Sequence, residues 1–232
     1  MSLNQIIHKN ILVKILKKLY TDPAIGPILG FKGGSAAYFF YDLNRFSVDL
    51  DFDLLDPQKR TQVFERVREM LVSYGTVKKA DRKQFNIFYL LRYDDKIEGA
   101  QNIKVEINLR DFGSKYEVRS YLGISMKVMV AEDMFAHKLV AMLERIGKTN
   151  RDIYDVWFFL DKHWPINTKI IERRTGLHSK EFLQNCIQAL ENLADRGILS
   201  GMGELFDAKQ KAWVKLKLRE ETIFQLRLRL ES

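Results

Sequence analysis

Two stretches decide how the N-terminal half of this chain should fold: Phe31-Lys32-Gly33-Gly34-Ser35 and Ser47-Val48-Asp49-Leu50-Asp51-Phe52-Asp53-Leu54. The first is a small-residue turn, and the apolar run after it predicts a short helix over 34–42. In the second, carboxylates alternate strictly with large apolar side chains. Because successive strand side chains point to opposite faces, the three aspartates share one face of a predicted strand over 46–54.

The acidic face of this predicted strand carries an electrostatic cost. Like charges recur about every 7 Å along it, which raises the carboxyl pKa values and destabilises the fold unless water or a cation offsets the repulsion. Divalent metal ions are the usual remedy. An isolated Asp-x-Asp is more often part of an amphipathic strand with a solvated acidic face.

The glycine turn upstream favours the metal interpretation. Gly33 and Gly34 leave backbone N–H groups free of Cβ obstruction, and Ser35 adds a hydroxyl. Such a turn leading into a helix is typical of a phosphate-binding site. A triphosphate site beside a two-carboxylate metal site indicates phosphoryl or nucleotidyl transfer.

These motifs carry a family resemblance. Gly33-Gly34-Ser35 with Asp49-x-Asp51 resembles the signature of the DNA polymerase β-type nucleotidyltransferase superfamily. The fuller string is similar to the AbiEii/AbiGii toxins, the nucleotidyltransferase toxins of abortive-infection toxin–antitoxin systems. It consists of Gly34-Ser35-Ala36-Ala37, Arg45-x-Ser47-x-Asp49-Leu50-Asp51-Phe52, Lys138-Leu139-x-Ala141-x-x-x-Arg145 and Arg151-Asp152-x-x-Asp155.

The resemblance implies a nucleoside triphosphate as substrate and Mg²⁺ or Mn²⁺ as cofactor. Asp49 and Asp51 are then the metal ligands and catalytic carboxylates. A neighbouring strand supplies a third carboxylate in such enzymes, and the alternation predicted over 102–109 puts Glu106 on a polar face. Glu106 is therefore the candidate third ligand, with Asp111 a weaker competitor. An exposed glutamate paired with a lysine is the alternative interpretation.

The resemblance also assigns residues to the nucleotide. The expected nucleotide-binding set is Gly33, Gly34, Ser35, Arg45, Ser47, Lys138 and Asp155. Lys138 is expected at the β- and γ-phosphates. Asp152 is a further catalytic candidate, which either anchors Lys138 or acts as a base. Helical Lys and Arg are usually solvated, and an aspartate near a helix start can merely complement the helix dipole.

The periodicity predicts an α+β protein, a nucleotidyltransferase-like mixed sheet flanked by helices and followed by an all-helical half. We expect a catalytic domain over 1–130 and a helical domain over 131–232 that completes the active-site cleft. In the first domain, helices are predicted over 4–20, 34–42 and 57–73 and strands over 46–54, 85–93 and 102–109, with a turn at 94–96. In the second, helices are predicted over 132–146, 151–163, 168–175, 179–196 and 208–230.

Composition limits the function classes. The 232 residues include 38 Lys+Arg against 30 Asp+Glu, a formal charge of +8. Residues 1–130 hold 21 basic and 15 acidic residues and the remainder 17 and 15, so the excess is +6 against +2. A basic catalytic half suits a polyanion such as RNA, although charge also serves solubility. The densest basic cluster, Lys78, Lys79, Arg82 and Lys83, is predicted in a loop that is either solvated or contacts RNA.

Other residue types exclude further classes. Cys186 is the only cysteine, so no intramolecular disulfide or cysteine metal cluster can form, and a reducing compartment is expected. The sequence shows neither a signal peptide nor a membrane span, which predicts a cytoplasmic protein. The aromatic run at 38–41 could stack a base, but a helix packed on a sheet favours a place in the core.

The sequence therefore predicts a Mg²⁺-dependent enzyme that moves a nucleoside monophosphate from a triphosphate to an acceptor. By resemblance, the acceptor is RNA, with a tRNA 3′ end the leading candidate, and a separately encoded antitoxin is the protein partner. Two alternatives stay open. One is a nucleotidyltransferase with a small-molecule acceptor of the antibiotic type, and the other is a non-catalytic nucleotide-binding protein of the same fold.

Overall fold

The computed structural model describes residues 4–93, 102–194 and 197–231. The chain forms two compact units. The sheet unit comprises residues 1–42, 46–111 and 115–129, and the helical unit comprises residues 43–45, 112–114 and 130–232. The predicted turn at 94–96 lies outside the described residues. Within the described part of the chain, no helix is both long and apolar enough to cross a membrane.

The sheet unit is a mixed seven-stranded sheet with the strand order β3-β4-β5-β2-β1-β7-β6. Its strands are β1 (Leu29–Lys32), β2 (Leu50–Leu54), β3 (Gly75–Arg82), β4 (Asn86–Tyr93), β5 (Asn102–Asn108), β6 (Tyr116–Tyr121) and β7 (Ile124–Met129). Its helices are α1 (Gln5–Tyr20), α2 (Gly33–Phe40) and α3 (Arg60–Val72). The acidic strand β2 lies in the middle of the sheet, antiparallel to β1 and parallel to β5.

The alternation in β2 holds as the sequence predicts. Leu50 and Phe52 are fully buried, and Phe52 packs on Phe31 of β1 with ring centroids 5.3 Å apart. The apolar faces of β4 and β5 continue this layer through residues such as Tyr89 and Ile107, both fully buried. The apolar face of β2 is therefore part of the core, which leaves the aspartates to the other face.

Several local expectations for the sheet unit are wrong. The acidic strand begins at Leu50 rather than at residue 46. The basic cluster lies on and just after β3, not in a loop. Strand β3 has no counterpart among the predicted elements, and neither do the three shorter strands β1, β6 and β7. Each of these three has six residues or fewer, and such short runs give little periodicity to detect.

The aromatic run Tyr38 to Tyr41 is half-buried rather than in the core. Consecutive residues on a helix point in four directions around its axis, so one packed face cannot bury all four. Phe40 makes an edge contact with Phe31, at 6.4 Å between ring centroids. Tyr38 lies under the ammonium group of Lys9, 5.1 Å from its ring centroid.

The helical unit contains α4 (Ala131–Arg145), α5 (Arg151–Asp161), α6 (Thr168–Thr175), α7 (Ser179–Glu191), α8 (Ala208–Trp213) and α9 (Arg219–Glu231). The first three match their predicted ranges closely. α7 ends at Glu191, earlier than predicted, and the helix predicted over 208–230 contains a π-helical segment at Val214–Leu218. Aromatic rings fill the core of this unit, for example Phe135 against Phe159 at 5.6 Å between centroids.

Candidate active site

Two carboxylates stand side by side on the polar face of the sheet. Asp51 of β2 lies directly opposite Glu106 of β5 in the parallel ladder. Paired residues on neighbouring strands point to the same face, with about 4.8 Å between the strands. Both side chains are half-buried, and Asn86 of β4 donates to Oε1 of Glu106 at 2.6 Å. The register therefore brings together two of the three predicted metal ligands.

The glycine turn packs against this pair. Gly33 has φ +78°, a left-handed conformation that favours glycine, and it is the first residue of α2. A Cβ atom at Gly33 would collide with Oδ2 of Asp51. Gly33 thus allows both the turn and the close approach of the carboxylate. The first N–H groups of α2 have no partner within their helix, which is what an anion-binding turn requires.

The predicted serines are used inside the protein. The hydroxyl of Ser35 is fully buried, donates to the backbone carbonyl of Asp49 and pairs with the Ser47 hydroxyl at 3.0 Å. His8, also fully buried, pairs with the Val48 carbonyl at 2.9 Å. These contacts fix the segment that leads into β2. A phosphate contact by Ser35 would therefore come from its backbone N–H, and the nucleotide-binding role stays a prediction.

Asp49 precedes β2 and is almost fully buried. Its Oδ1 accepts a hydrogen bond from the Lys104 backbone N–H at 3.3 Å. Asp111, the alternative third carboxylate, lies beyond the end of β5 and is exposed. The strand position of Glu106 opposite Asp51 favours Glu106 over Asp111.

Asp53, the third aspartate of the alternation, has a different environment. Lys32 binds its Oδ1 at 2.6 Å, Asn108 donates to the same oxygen at 2.6 Å, and the Tyr116 hydroxyl donates to Oδ2. Gly30 makes room for the Tyr116 ring, since a Cβ there would overlap it. Sequence reasoning missed these partners. Only the alternation, which puts Asp53 on the polar face, gave a signal for them.

The carboxylates suit a hard divalent cation by their chemistry. Mg²⁺ prefers carboxylate oxygens and keeps several waters, so it needs only one or two carboxylates at a time. Among the described residues, no three His, Cys, Asp or Glu side chains already form a metal cluster. Asp51 and Glu106 therefore supply two carboxylates for such a cation. Asp49 would have to bind the cation through coordination positions that its hydrogen bond to Lys104 leaves available.

The helical unit contains a second charged cluster, formed by Arg45, Lys138, Arg145, Asp152 and Asp155. The Arg45 guanidinium donates to both carboxylate oxygens of Asp155, from Nε to Oδ1 at 2.5 Å and from Nη2 to Oδ2 at 2.7 Å. Lys138 bridges the two aspartates, 2.6 Å from Asp155 and 3.0 Å from Asp152. Arg145 closes the row, 2.7 Å from Asp152.

Most of this charged cluster is buried. Arg45 and both aspartates have side chains no more than 1% exposed, and that of Lys138 is 10% exposed. Burial raises the pKa of Asp155, but the Arg45 and Lys138 charges outweigh it and hold that pKa well below its usual range. Likewise, burial lowers the pKa of Arg45, and Asp155 more than restores it. Arg45 and Asp155 are therefore both charged at neutral pH.

The predicted residues thus fall into two sets. The structure brings Asp51, Glu106 and Gly33 together in the sheet unit. It brings Arg45, Lys138, Asp152 and Asp155 together in the helical unit. Arg45 and Asp155, predicted at the nucleotide, bind each other, and Asp152 holds Lys138, which supports the anchoring alternative over the base.

We expect the stability of the helical unit to fall in acid. Since the folded pKa of Asp155 lies below its unfolded value of about 3.9, its stabilisation is complete above that value and is lost as the pH falls below it. All three tryptophans lie in this unit, so urea unfolding followed by tryptophan fluorescence reports on it. Asp155→Asn, less stable at pH 7, should show a smaller further loss below pH 4.

The matched control for this acid effect is Asp161→Asn, an exposed aspartate at the end of the same helix. It should follow the parent at every pH. A parent protein whose unfolding free energy is flat from pH 5 to pH 3 would contradict the assigned ion pairs.

The sequence that contains these motifs matches a known protein family. Residues 14–221 match the family described as nucleotidyl transferase AbiEii toxin, Type IV TA system. The chain belongs to the AbiEii family. It is therefore a nucleotidyltransferase of the toxin class, as its motifs predicted. No curated protein matches the chain.

Solved structures agree with the AbiEii assignment in fold. JHP933 from Helicobacter pylori has a TM-score of 0.65 at 25% identity, with 100% of this chain and 95% of that chain covered. A putative nucleotidyltransferase from H. pylori gives 0.64 at 23% identity, covering 100% and 98%. MenT4, a nucleotidyltransferase toxin from Mycobacterium tuberculosis H37Rv, gives 0.57 at 17% identity, covering 93% and 82%.

Proposed function

We propose that this AbiEii-family chain transfers a nucleoside monophosphate from a triphosphate to RNA, at a tRNA 3′ end, in a Mg²⁺-dependent reaction in the cytoplasm. The observation that carries the proposal is the pairing of Asp51 with Glu106 beside the left-handed Gly33 turn. Carboxylates for a metal and backbone N–H groups for phosphates are the two requirements of phosphoryl-group chemistry.

The metal ligands in this proposal are Asp49, Asp51 and Glu106. Metal ions held there would supply positive charge to stabilise the departing pyrophosphate and would make the acceptor hydroxyl easier to deprotonate. Gly33 and Gly34 offer backbone N–H groups to the triphosphate. Asn86, by donating to Glu106, fixes the orientation of that carboxylate.

The helical unit contributes Lys138 in this proposal. Lys138 is a compact charge that can neutralise phosphate oxygens without planar geometry. Asp152 and Asp155 hold its ammonium group in one place. Asp152 is thus a positioning residue for Lys138, and Arg145 in turn binds Asp152.

The RNA acceptor is supported by charge. The first 130 residues carry an excess of +6, and the basic residues include an exposed cluster along β3. RNA phosphates attract such surfaces without sequence preference. Membership of a type IV toxin–antitoxin family implies an antitoxin as the protein partner.

Labelling tests the proposal. Purified protein is mixed with each α-labelled triphosphate, Mg²⁺ and total RNA, and the products are separated by size. Label on RNA is expected. Label only on a small molecule would favour the antibiotic type of acceptor, and no transfer to any acceptor would favour a non-catalytic binding protein. Either result contradicts the proposal.

Thermal unfolding gives a second prediction. Mg²⁺ and a non-hydrolysable triphosphate together should raise the Tm more than the sum of their separate effects, because the metal bridges phosphate to carboxylate. At 100 times Kd, a ligand bound only by the folded state stabilises it by about 2.7 kcal/mol. Equal shifts with and without Mg²⁺ would indicate a metal-independent anion site instead.

A further inference from the structure

The polar face of the sheet continues past the carboxylates to its β3 edge. Glu106 lies opposite Phe88 of β4, and Phe88 lies opposite Asp81 of β3. Paired residues share a face, so these side chains extend the carboxylate row. Lys79 and Lys83, two residues before and after Asp81, belong to the same face, and both are exposed.

Two aromatic rings on this part of the sheet lie beside cations. The Lys83 ammonium is 5.8 Å from the ring centroid of the half-buried Phe88. Phe85, between β3 and β4, is 53% exposed, and the Arg110 guanidinium is 5.7 Å from its ring centroid. Arg110 also donates to Oδ1 of Asn108, which lies two residues after Glu106 on β5.

The spacing connects these groups to the reaction centre. Neighbouring strands lie about 4.8 Å apart, so the β4 backbone is one step and the β3 backbone two steps, about 10 Å, from that of Glu106. An acceptor whose reactive end lies at Glu106 would pass over Phe88 next. The groups it meets are then aromatic faces and cations, together with the Asp81 carboxylate, which binds Lys79 at 3.1 Å.

Surfaces that bind single-stranded nucleic acid combine these features. Bases stack on aromatic rings, cations follow the backbone, and sheet faces are a common platform for single-stranded RNA. Lysines on an edge strand also discourage pairing with other sheets, which alone could account for Lys79. That explanation does not cover Phe85, a large exposed apolar side chain among those cations.

We propose that Lys79, Lys83, Phe85, Phe88 and Arg110, the acceptor strip, bind the single-stranded end of the RNA just before its reactive nucleotide. Bases stack on the two phenylalanines, and the cations contact the phosphates. The strip thus selects an unpaired RNA end over a duplex. This inference rests on the proposed RNA acceptor.

The test uses the full chain and a fluorescent single-stranded RNA oligonucleotide without triphosphate. Phe85→Ala should raise the Kd about 5- to 150-fold, the range for loss of one stacked base. Lys83→Glu should raise it too and flatten the dependence of log Kd on log salt concentration. In transfer assays, both should raise KM for RNA and leave KM for the triphosphate unchanged.

Matched controls separate the strip from general changes. Phe224→Ala removes a similarly exposed phenylalanine of α9, and Lys18→Glu makes the same charge change at the end of α1. Both should bind RNA like the parent, and Phe85→Trp should retain binding.

Two results would overturn the acceptor strip: parental affinity for RNA in both strip variants, or equal affinity of the parent for single-stranded and duplex RNA. Because binding is measured without triphosphate, failure of the transfer reaction leaves this test intact.

Discussion

Asp51→Asn should abolish nucleotide transfer, with a loss on the order of a thousandfold or more, because a metal site supplies several kcal/mol of transition-state stabilisation. The protein should stay folded. Asp51 lies beside Glu106 and against Gly33, so removing its charge relieves repulsion at no cost in volume. The Tm without metal should be unchanged or higher, and the Mg²⁺-dependent gain in Tm should disappear. Asp49→Asn should have the same effect on transfer.

Asp53→Asn is the matched control for Asp51→Asn. It removes one charge from the same strand, but this carboxylate binds Lys32, Asn108 and Tyr116. We expect a loss of about 2–4 kcal/mol in unfolding free energy, because the half-buried Lys32 loses its ion-pair partner and the buried Asn108 loses a charged acceptor. The loss of transfer in the folded fraction should be smaller. Asp51→Asn with full transfer activity would rule out the assigned metal site.

Lys138→Ala should weaken triphosphate binding and cut transfer about 10²- to 10³-fold, the range for removal of one preorganised charge contact. Its effect on stability should be modest, about 1–2 kcal/mol, because each carboxylate keeps another cation. Asp155 keeps Arg45, and Asp152 keeps Arg145. Steady-state kinetics with isothermal titration of a non-hydrolysable triphosphate measures both effects.

Variants around Lys138 sharpen this test. Lys138→Arg should rescue only in part, because the guanidinium is larger and has a different donor geometry. Arg145→Ala, at a partly exposed position, should affect transfer less. Arg45→Ala should instead cost about 3–5 kcal/mol of stability, because it removes both guanidinium hydrogen bonds to the buried Asp155 and the packing of a fully buried side chain. If Lys138→Ala binds and transfers nucleotide like the parent, Lys138 has no role at the triphosphate.

The sequence predicts which strand residues lie on the polar face of the sheet, because strand alternation is a local property. Asp51 and Glu106 were each assigned to a polar face from their own strands alone. That they lie opposite each other depends on the register of β2 against β5, which no local pattern contains. The strand β1, which holds Lys32 opposite Asp51, has no predicted counterpart for another reason, because its four residues are too few to show a periodic pattern.

The partners of the charged residues were harder to predict. Arg45 binds Asp155 across 110 positions of the chain, and Tyr116 reaches Asp53 across 63. Helical spacing groups Lys138 with Arg145 on one helix and Asp152 with Asp155 on the next. It does not show that these two helices pack so that Lys138 lies between both aspartates.

The central claim is metal-dependent transfer of a nucleotide, rather than a phosphate, to an RNA end. The most direct measurement incubates the parent and Asp51→Asn with RNA, Mg²⁺ and triphosphate labelled at either the α- or the γ-phosphate. We expect the parent to incorporate the α-label alone. This incorporation should be lost when the RNA 3′ end is blocked by periodate oxidation or when Mg²⁺ is chelated. Asp51→Asn should incorporate neither label. Incorporation of the γ-label, or equal α-incorporation by Asp51→Asn, would contradict the claim.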